Sequence, residues 1–286
     1  MPATLDRRTI YFLLLLGLCI PLWLRYSLPP ARMQSAQRLF EVIERLEVKP
    51  GEIAFVALDL GPSTKAENGP QAEVVIEHLM RRRVPIALFS IYYQAEPFLE
   101  SIPTGVAARL MQEKPGEIWE YGKDWVNLGY RPGADSLIQG IPKSKNLAEL
   151  FAEDVRGNRL SNLPIFKEVR TLEQIRLLAQ FTGLYGVLDS YLQFFQKSGY
   201  RPVFVHGCTS ITIPEAFIYL DSGQLQGLLE GIAGAAWYSE LLKKRFPGRA
   251  TDSSLVMNTA LGIAHLIIIL LIAAGNLPAL WKVIKG

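Results

Sequence analysis

The chain has 286 residues, of which 49% are hydrophobic and 20% are charged, and its mean hydropathy is +0.17. This apolar content excludes a disordered chain, and a net charge of +3 is too small to indicate a nucleic-acid partner. Two cysteines exclude a disulfide scaffold and a cysteine-based zinc site. Because the mean hydropathy is high for a water-soluble protein, membrane segments are the first feature to seek.

An uncharged apolar run occupies residues 10–24 and is preceded by Arg7 and Arg8. It approaches the 20 or so residues that cross a bilayer, and Trp23 and Tyr26 suit the membrane–water interface. A cleaved signal peptide is the alternative, but no small-x-small cleavage site follows the run. We predict an uncleaved N-terminal transmembrane anchor over residues 1–28.

A second, longer apolar run predicts a C-terminal transmembrane helix over residues 255–281, with Trp281 at its interfacial end. Among the polar residues within it are Asn258 and His265. An ionisable residue inside a membrane helix is a candidate functional residue. The simpler interpretation, which we favour for His265, is a neutral imidazole that is hydrogen-bonded to another helix.

Basic residues near the two spans predict the orientation. Seven lie on the side of the middle segment and four on the side of the termini; they are Arg25, Arg32, Arg38, Lys243, Lys244, Arg245 and Arg249, against Arg7, Arg8, Lys282 and Lys285. We therefore expect a two-pass protein of the cell inner (plasma) membrane with a cytoplasmic middle domain. A periplasmic or extracellular domain is the alternative, because the terminal tails are short.

The middle domain, residues 31–245, alternates helical periodicity with short apolar runs. Its first half predicts helices over 31–47, 70–83 and 106–111, strands over 53–60, 84–91 and 125–129, and either a strand or a helix start over 137–141. Its second half predicts helices over 147–151, 188–197 and 222–244 and strands over 177–182 and 202–206. This alternation favours a doubly wound, mostly parallel α/β sheet of the Rossmann-like type.

In such a sheet, ligands bind beyond the carboxyl ends of the strands. Polar and small residues follow the predicted strands and nominate one crevice; they are Asp59, Gly61, Ser63, Thr64, Ser90, Tyr130, Thr182 and Thr209. The turn after the first strand lacks the glycine spacing and the Lys-Ser/Thr ending of a phosphate loop. A tight turn with a helix cap explains that turn equally well.

His206 and Cys208 are the candidates for a base and a nucleophile, since alternate residues of a strand point the same way. Asp59 is the third candidate catalytic residue. The sequence names no group that would orient the histidine, and a thiol in this position is more often inert.

Four glycines, Gly223, Gly227, Gly231 and Gly234, recur in the predicted helix over 222–244. Each costs about 1 kcal/mol relative to alanine in a helix interior, so close packing against another backbone would have to compensate. The surface they form would pack either on the sheet of the same chain or on a neighbouring subunit.

Two segments, YGKDWVNLGYRPG (121–133) and SGQLQGLLEGIAGAAWYSELL (222–242), are similar to those of an uncharacterised bacterial family. The turn GPST (61–64) and the closing AHLIIILLIAAGN share this resemblance. The chain departs from the family's YGxDYVNLGY and GAAEYE forms at Trp125 and Trp237. The resemblance implies an α/β domain held between an N-terminal and a C-terminal membrane helix, and it implies no activity.

The sequence thus predicts a membrane-anchored α/β module that acts as a structural or assembly component of a membrane protein complex. The expected partners are the lipid bilayer and other membrane proteins or copies of the chain itself, with no nucleic acid, cofactor or metal. The alternative is an anchored hydrolase or transferase that uses the crevice.

Overall fold

The computed structural model describes residues 6–285, with side chains through residue 276. The prediction for Trp281 lies outside the described side chains. The chain divides into two compact units, an α/β unit over Arg32–Arg249 and a helical unit formed by the segments before and after it. Each unit is considered by itself below.

The described residues include six strands and ten α-helices. The strands are β1 (Ile53–Asp59), β2 (Ile86–Ser90), β3 (Trp125–Tyr130), β4 (Ile175–Thr182), β5 (Val203–Cys208) and β6 (Gly227–Glu230). The helices are α1 (Arg7–Leu24), α2 (Gln34–Glu44), α3 (Lys65–Arg81), α4 (Glu96–Glu113), α5 (Ala134–Lys143), α6 (Leu147–Phe151), α7 (Val187–Phe194), α8 (Ile213–Asp221), α9 (Gly231–Arg245) and α10 (Ser253–Lys285).

The strands form one sheet in the order β3-β2-β1-β4-β5-β6, and every neighbouring pair is parallel. This confirms the predicted doubly wound parallel sheet. The order is that of dinucleotide-binding Rossmann folds, in which the direction of winding reverses between the first and fourth strands. The carboxyl ends of β1 and β4 therefore lie at the topological switch point, where Asp59 pairs in register with Thr182.

Helices cover both faces of the sheet, so its central strands are buried on both sides. All seven residues of β1 are buried, because Ala54, Val56 and Leu58 face one layer and the alternate residues face the other. Helices α2, α3, α4 and α9 form the first layer, and α5, α6, α7 and α8 form the second. The continuous apolar run that predicted β1 reflects this double burial.

Several helices extend beyond the predicted bounds. Helix α3 begins at Lys65 rather than at residue 70, so Pro70 lies inside the helix and does not begin it. Helix α4 runs over Glu96–Glu113 rather than 106–111, and residues 137–141 belong to helix α5. These helices were predicted too short because residues that do not fit the apolar periodicity interrupt it.

The single helix predicted over residues 222–244 is wrong. Helix α8 precedes this region, Gly223 takes a positive φ of +75° in the following turn, and residues 227–230 form the edge strand β6. Only the segment from Gly231 onward is helical. The four glycines therefore do not share one helical face, and the predicted small-residue stripe at Gly223, Gly227, Gly231 and Gly234 does not exist.

Two of these glycines pack within the α/β unit itself. A Cβ atom on Gly227 would lie 2.5 Å from the Cα atom of Leu39 in α2, and one on Gly234 would lie 3.0 Å from the backbone of Leu229. The glycines thus let α2 lie against the edge strand β6 and let α9 turn back on it. Packing on the chain's own sheet accounts for both positions.

The helical unit contains two helices that are long and apolar enough to cross a membrane, Arg7–Leu24 and Ser253–Asn276. They pack antiparallel, and Gly17 of α1 is close to Ile267 of α10, where an added Cβ atom would lie 2.4 Å from the isoleucine side chain. The hydroxyl of Thr259 accepts a hydrogen bond from the backbone N–H of Leu28 at 2.9 Å. His265 lies on an exposed face of α10.

Candidate functional site

The carboxyl end of β1 delivers Asp59 into the interior at the switch point. Its Oδ1 atom accepts hydrogen bonds from the Ser90 hydroxyl and the Ile91 backbone N–H, both at 2.9 Å. Its Oδ2 atom lies 3.4 Å from the Gln180 amide nitrogen, and the Thr182 hydroxyl donates to its backbone carbonyl at 2.9 Å. The structure therefore brings Asp59, Ser90 and Thr182 together, as predicted for one crevice, but all three are buried.

Burial raises the pKa of Asp59 above its ordinary value, although hydrogen bonds from Ile91, Ser90, Tyr191 and Gln180 oppose this shift. The neighbouring polar groups are incompletely paired. The Gln180 Oε1 atom and the His206 Nδ1 atom are buried without a hydrogen-bond partner among the described residues. Asp59 thus lies in a buried polar cluster beneath the edge of the sheet and not in an open cleft.

The loops at this edge fill the space above the sheet. A Cβ atom on Gly183, just after β4, would lie 2.5 Å from the Thr209 methyl group and 2.8 Å from that of Thr64. A Cβ atom on Gly61 would lie 2.7 Å from the side-chain oxygen of Gln94. The predicted residues Thr64 and Thr209 therefore converge on Gly183, whereas Gly61 packs against Gln94.

The threonine hydroxyls at this edge are used within their own loops. Thr64 Oγ1 accepts from the Gly61 N–H at 3.2 Å, and Thr182 Oγ1 accepts from the Leu184 N–H at 3.1 Å. Ser63 is exposed, and Tyr130 lies half-buried on the edge strand β3, in register with Ser90. The segment is thus a turn, as one interpretation expected, but Thr64, the N-cap residue of α3, makes no capping side-chain hydrogen bond to the helix.

His206 and Cys208 lie on the same face of β5, as the strand alternation predicted, and both are buried. Burial lowers the pKa of His206 to about 3. Burial, with the charges of Glu230 and Glu67, raises the pKa of Cys208 to about 12. A thiol with this pKa stays protonated at neutral pH.

The sequence reasoning missed two polar residues that position this edge. Asn68 and Gln71, both fully buried on α3, face β5 and β6. The Gln71 amide nitrogen donates to the carbonyls of Cys208, Leu229 and Gly231 at 2.8, 3.2 and 2.9 Å. The sequence feature that could have identified them is a pair of amide side chains on the face of α3 that otherwise carries apolar residues.

Replacing Asp59 by asparagine is expected to remove a pH-dependent cost of folding. A buried carboxyl with a raised pKa contributes most to stability below the unfolded value of 3.8 and loses this contribution as the pH rises through its folded pKa. The asparagine amide does not ionise. When the Gln180 side chain flips, its unpaired Oε1 atom can accept a hydrogen bond from the amide nitrogen of the new asparagine. The stability of Asp59→Asn relative to the unsubstituted protein should therefore increase between pH 4.5 and pH 8.

Chemical denaturation of both proteins at the two pH values measures this difference. The buried histidines affect both proteins alike, so their contribution cancels in the comparison. An equal stability difference at pH 4.5 and pH 8 would show that Asp59 keeps its ordinary pKa.

Surface grooves lie elsewhere on the α/β unit. One of about 520 Å³ runs between α2 and α9 along Met33, Trp237 and Leu241. Another of about 350 Å³ lies at the carboxyl end of β3, beside Glu100 and Arg156. Glu100 and Arg156 already pair with each other at 2.8 Å, so the second groove offers no free charge from this pair.

Within the described residues, no group of three or more histidine, cysteine, aspartate or glutamate side chains is placed to hold a metal ion. No family model matches the chain, and no curated protein or solved structure matches it either.

Proposed function

We propose that this protein is a membrane-anchored α/β module that serves as a structural or assembly component of a membrane protein complex. The observation that carries the proposal is the filled switch point. The place where this fold binds ligands is occupied by the chain's own side chains around Gly183. The α/β unit thus offers a rigid body, and the two apolar helices offer the means of attachment.

The helical unit supports the anchoring part of the proposal. Its two helices pack antiparallel through Gly17 and Ile267, while large apolar side chains such as Phe12, Leu15 and Ile269 are at least 57% exposed. An antiparallel helix pair with an apolar outer surface suits a bilayer and not water. We assign the protein to the inner (plasma) membrane with a cytoplasmic domain, and the same proposal includes membership of the bacterial family it resembles.

The alternative, an anchored hydrolase or transferase, has less support. Such an enzyme needs a nucleophile or base that reaches a substrate, whereas Asp59, His206 and Cys208 are all at least 98% buried. They also lie under the packed loops of the carboxyl edge. An enzymatic role would require this edge to open.

Carbonate washing of membranes, followed by mass measurement in detergent, tests the proposal. We expect the protein to remain with the membrane and to migrate as a complex larger than the 32.0 kDa chain. Release by carbonate would refute anchoring, and a strict monomer with no co-purifying protein would refute assembly. Cells that carry the conservative variants Asp59→Asn or Cys208→Ser should behave like cells that carry the unsubstituted protein. If both variants instead behave like a deletion of the gene, the enzyme is favoured.

The orientation needs an exposed thiol, and Cys208 is buried and unsuitable. Ser63 is exposed on the α/β unit and suits substitution by cysteine. In a chain that carries Cys19→Ser, the Ser63→Cys thiol should resist a membrane-impermeant maleimide in intact cells and react after lysis. Labelling in intact cells would place the domain outside.

A further inference from the structure

Helix α10 carries an unpaired polar residue in its most apolar stretch. His265 lies midway along the apolar segment Ser253–Asn276, about 18 Å from the start of the helix. Its side chain is exposed and has no hydrogen-bond partner among the described residues. The sequence-based expectation of a bond to another helix is thus not met by α1 of the same chain.

Further residues extend this surface along one face of α10. At 100° per residue, Asn258, Gly262, His265, Ile269 and Asn276 all fall within about 40° of one line along the helix. Ile267, which contacts Gly17 of α1, lies on the opposite side. We call the set Asn258, Gly262, His265, Ile269 and Asn276 the outer face of α10.

The chemistry of the outer face suits contact with a second helix in a bilayer. Exposed polar side chains are unfavourable in hydrocarbon, and they find partners by pairing across helices. Gly262 has no atom within 4 Å of its Cβ position, so another backbone can approach closely there. The Asn276 amide nitrogen already donates to the carbonyl of Ile272 at 2.8 Å. Asn258 is half-buried, so His265 is the exposed polar group in need of a partner.

The outer face is complementary to itself. A neutral imidazole has one donor and one acceptor nitrogen, and a carboxamide has both kinds of group, so each residue can pair with its own copy. Two copies of the chain insert with the same topology, and their α10 helices therefore run parallel. Around a two-fold axis, His265 then meets His265 and Asn258 meets Asn258.

On these grounds we propose that the outer face of α10 binds the same face of a second copy, forming a parallel dimer in the membrane. This inference rests on the proposed function, because it requires α10 to lie in a bilayer. It names the partner that the assembly role leaves open.

Cysteine cross-linking in isolated membranes tests the dimer. In the full chain with Cys19→Ser, we expect Gly262→Cys to form a disulfide-linked dimer upon oxidation. Leu270→Cys is the matched control, because Leu270 is 58% exposed but lies about 120° around the helix from Asn258. Equal cross-linking at both positions, or none at Gly262→Cys, would overturn the proposed face.

Substitution of His265 tests the hydrogen bond. His265→Leu is expected to weaken dimerisation about three- to thirtyfold, since hydrogen bonds between membrane helices contribute about 0.6–2 kcal/mol. His265→Asn should restore it, because the amide again donates and accepts. A dimer that His265→Leu leaves unchanged contradicts the inference.

The outcomes separate this inference from the proposed function. A carbonate-resistant protein that cross-links to a different membrane protein overturns the second copy as partner and keeps the assembly role. A carbonate-resistant protein without any cross-link overturns the dimer and keeps the anchor. Release by carbonate overturns both.

Discussion

Replacing Glu77 by glutamine is expected to lower the free energy of unfolding of the α/β unit by about 3–5 kcal/mol. For a domain of this size, that loss corresponds to a decrease in melting temperature of about 10 °C. Thermal unfolding of the full chain in detergent, followed by circular dichroism, measures it.

The reason is a buried cluster of charges around Glu77, which is fully buried on α3. Arg249 donates to both carboxylate oxygens at 2.7 and 2.8 Å, Arg81 lies at 2.8 Å and Arg109 at 3.2 Å. Burial alone would raise the pKa of Glu77, but the hydrogen bond and charge of Arg249, with Arg109 and Arg81, hold it below its ordinary value. Removing the negative charge would take from three guanidinium groups the carboxylate that they share, and of these Arg81 keeps a pair with Glu113.

The depressed pKa also gives a pH dependence. A carboxyl group of this kind stabilises the folded protein above its unfolded pKa of 4.5, and the contribution is lost as the pH falls through the folded value. The difference between Glu77→Gln and the unsubstituted protein should therefore shrink in acid.

Glu117→Gln is the matched control for this experiment. Glu117 pairs with Arg83 at 2.8 Å, but both side chains are more than one-third exposed, so water replaces the lost interaction. We expect a much smaller change than at Glu77. Similar effects at the two sites would show that burial does not govern this cluster.

Gly227→Ala is expected to lower the free energy of unfolding by about 3 kcal/mol. The added methyl group would lie 2.5 Å from the Cα atom and 2.6 Å from the Cβ atom of Leu39. Because the first of these atoms belongs to the backbone, a side-chain rotation cannot relieve the clash. Helix α2 would have to move away from the edge strand β6.

Gly223→Ala provides the comparison, because Gly223 belonged to the same predicted glycine stripe. No atom lies within 4 Å of its Cβ position, and only its φ of +75° opposes a side chain. That strain costs about 1–2 kcal/mol. Denaturant titration of both variants should rank Gly227→Ala as the more destabilised. The reverse order would mean that α2 does not pack on β6 as described.

The pattern of apolar residues predicted an element correctly where the faces of that element are covered by apolar neighbours. The run of residues 53–60 predicted β1 because both of its faces are covered by helices. The four-residue spacing of glycines failed over 222–244, because it arose from a turn, an edge strand and a helix start. A glycine serves each of these roles for a different local reason, and spacing alone does not distinguish them.

The residues of the candidate site were likewise predicted only in part from the sequence. The rule that ligands bind at the carboxyl ends of parallel strands nominated Asp59, Ser90 and Thr182, which hydrogen bonds link in the structure. It did not reveal that Gly183 is enclosed by Thr64 and Thr209, since this depends on loops distant in sequence. Nor did it identify Gln71, whose three carbonyl partners lie more than 130 residues away.

The sequence by itself determined the two long apolar helices and the alternation that produces a parallel sheet, because hydropathy and periodicity are local properties of the chain. Only the tertiary structure decided the strand order, the closure of the switch point and the exposure of His265. These features depend on which distant segments come into contact. Burial and hydrogen-bond pairing result from those contacts and cannot be read from any residue alone.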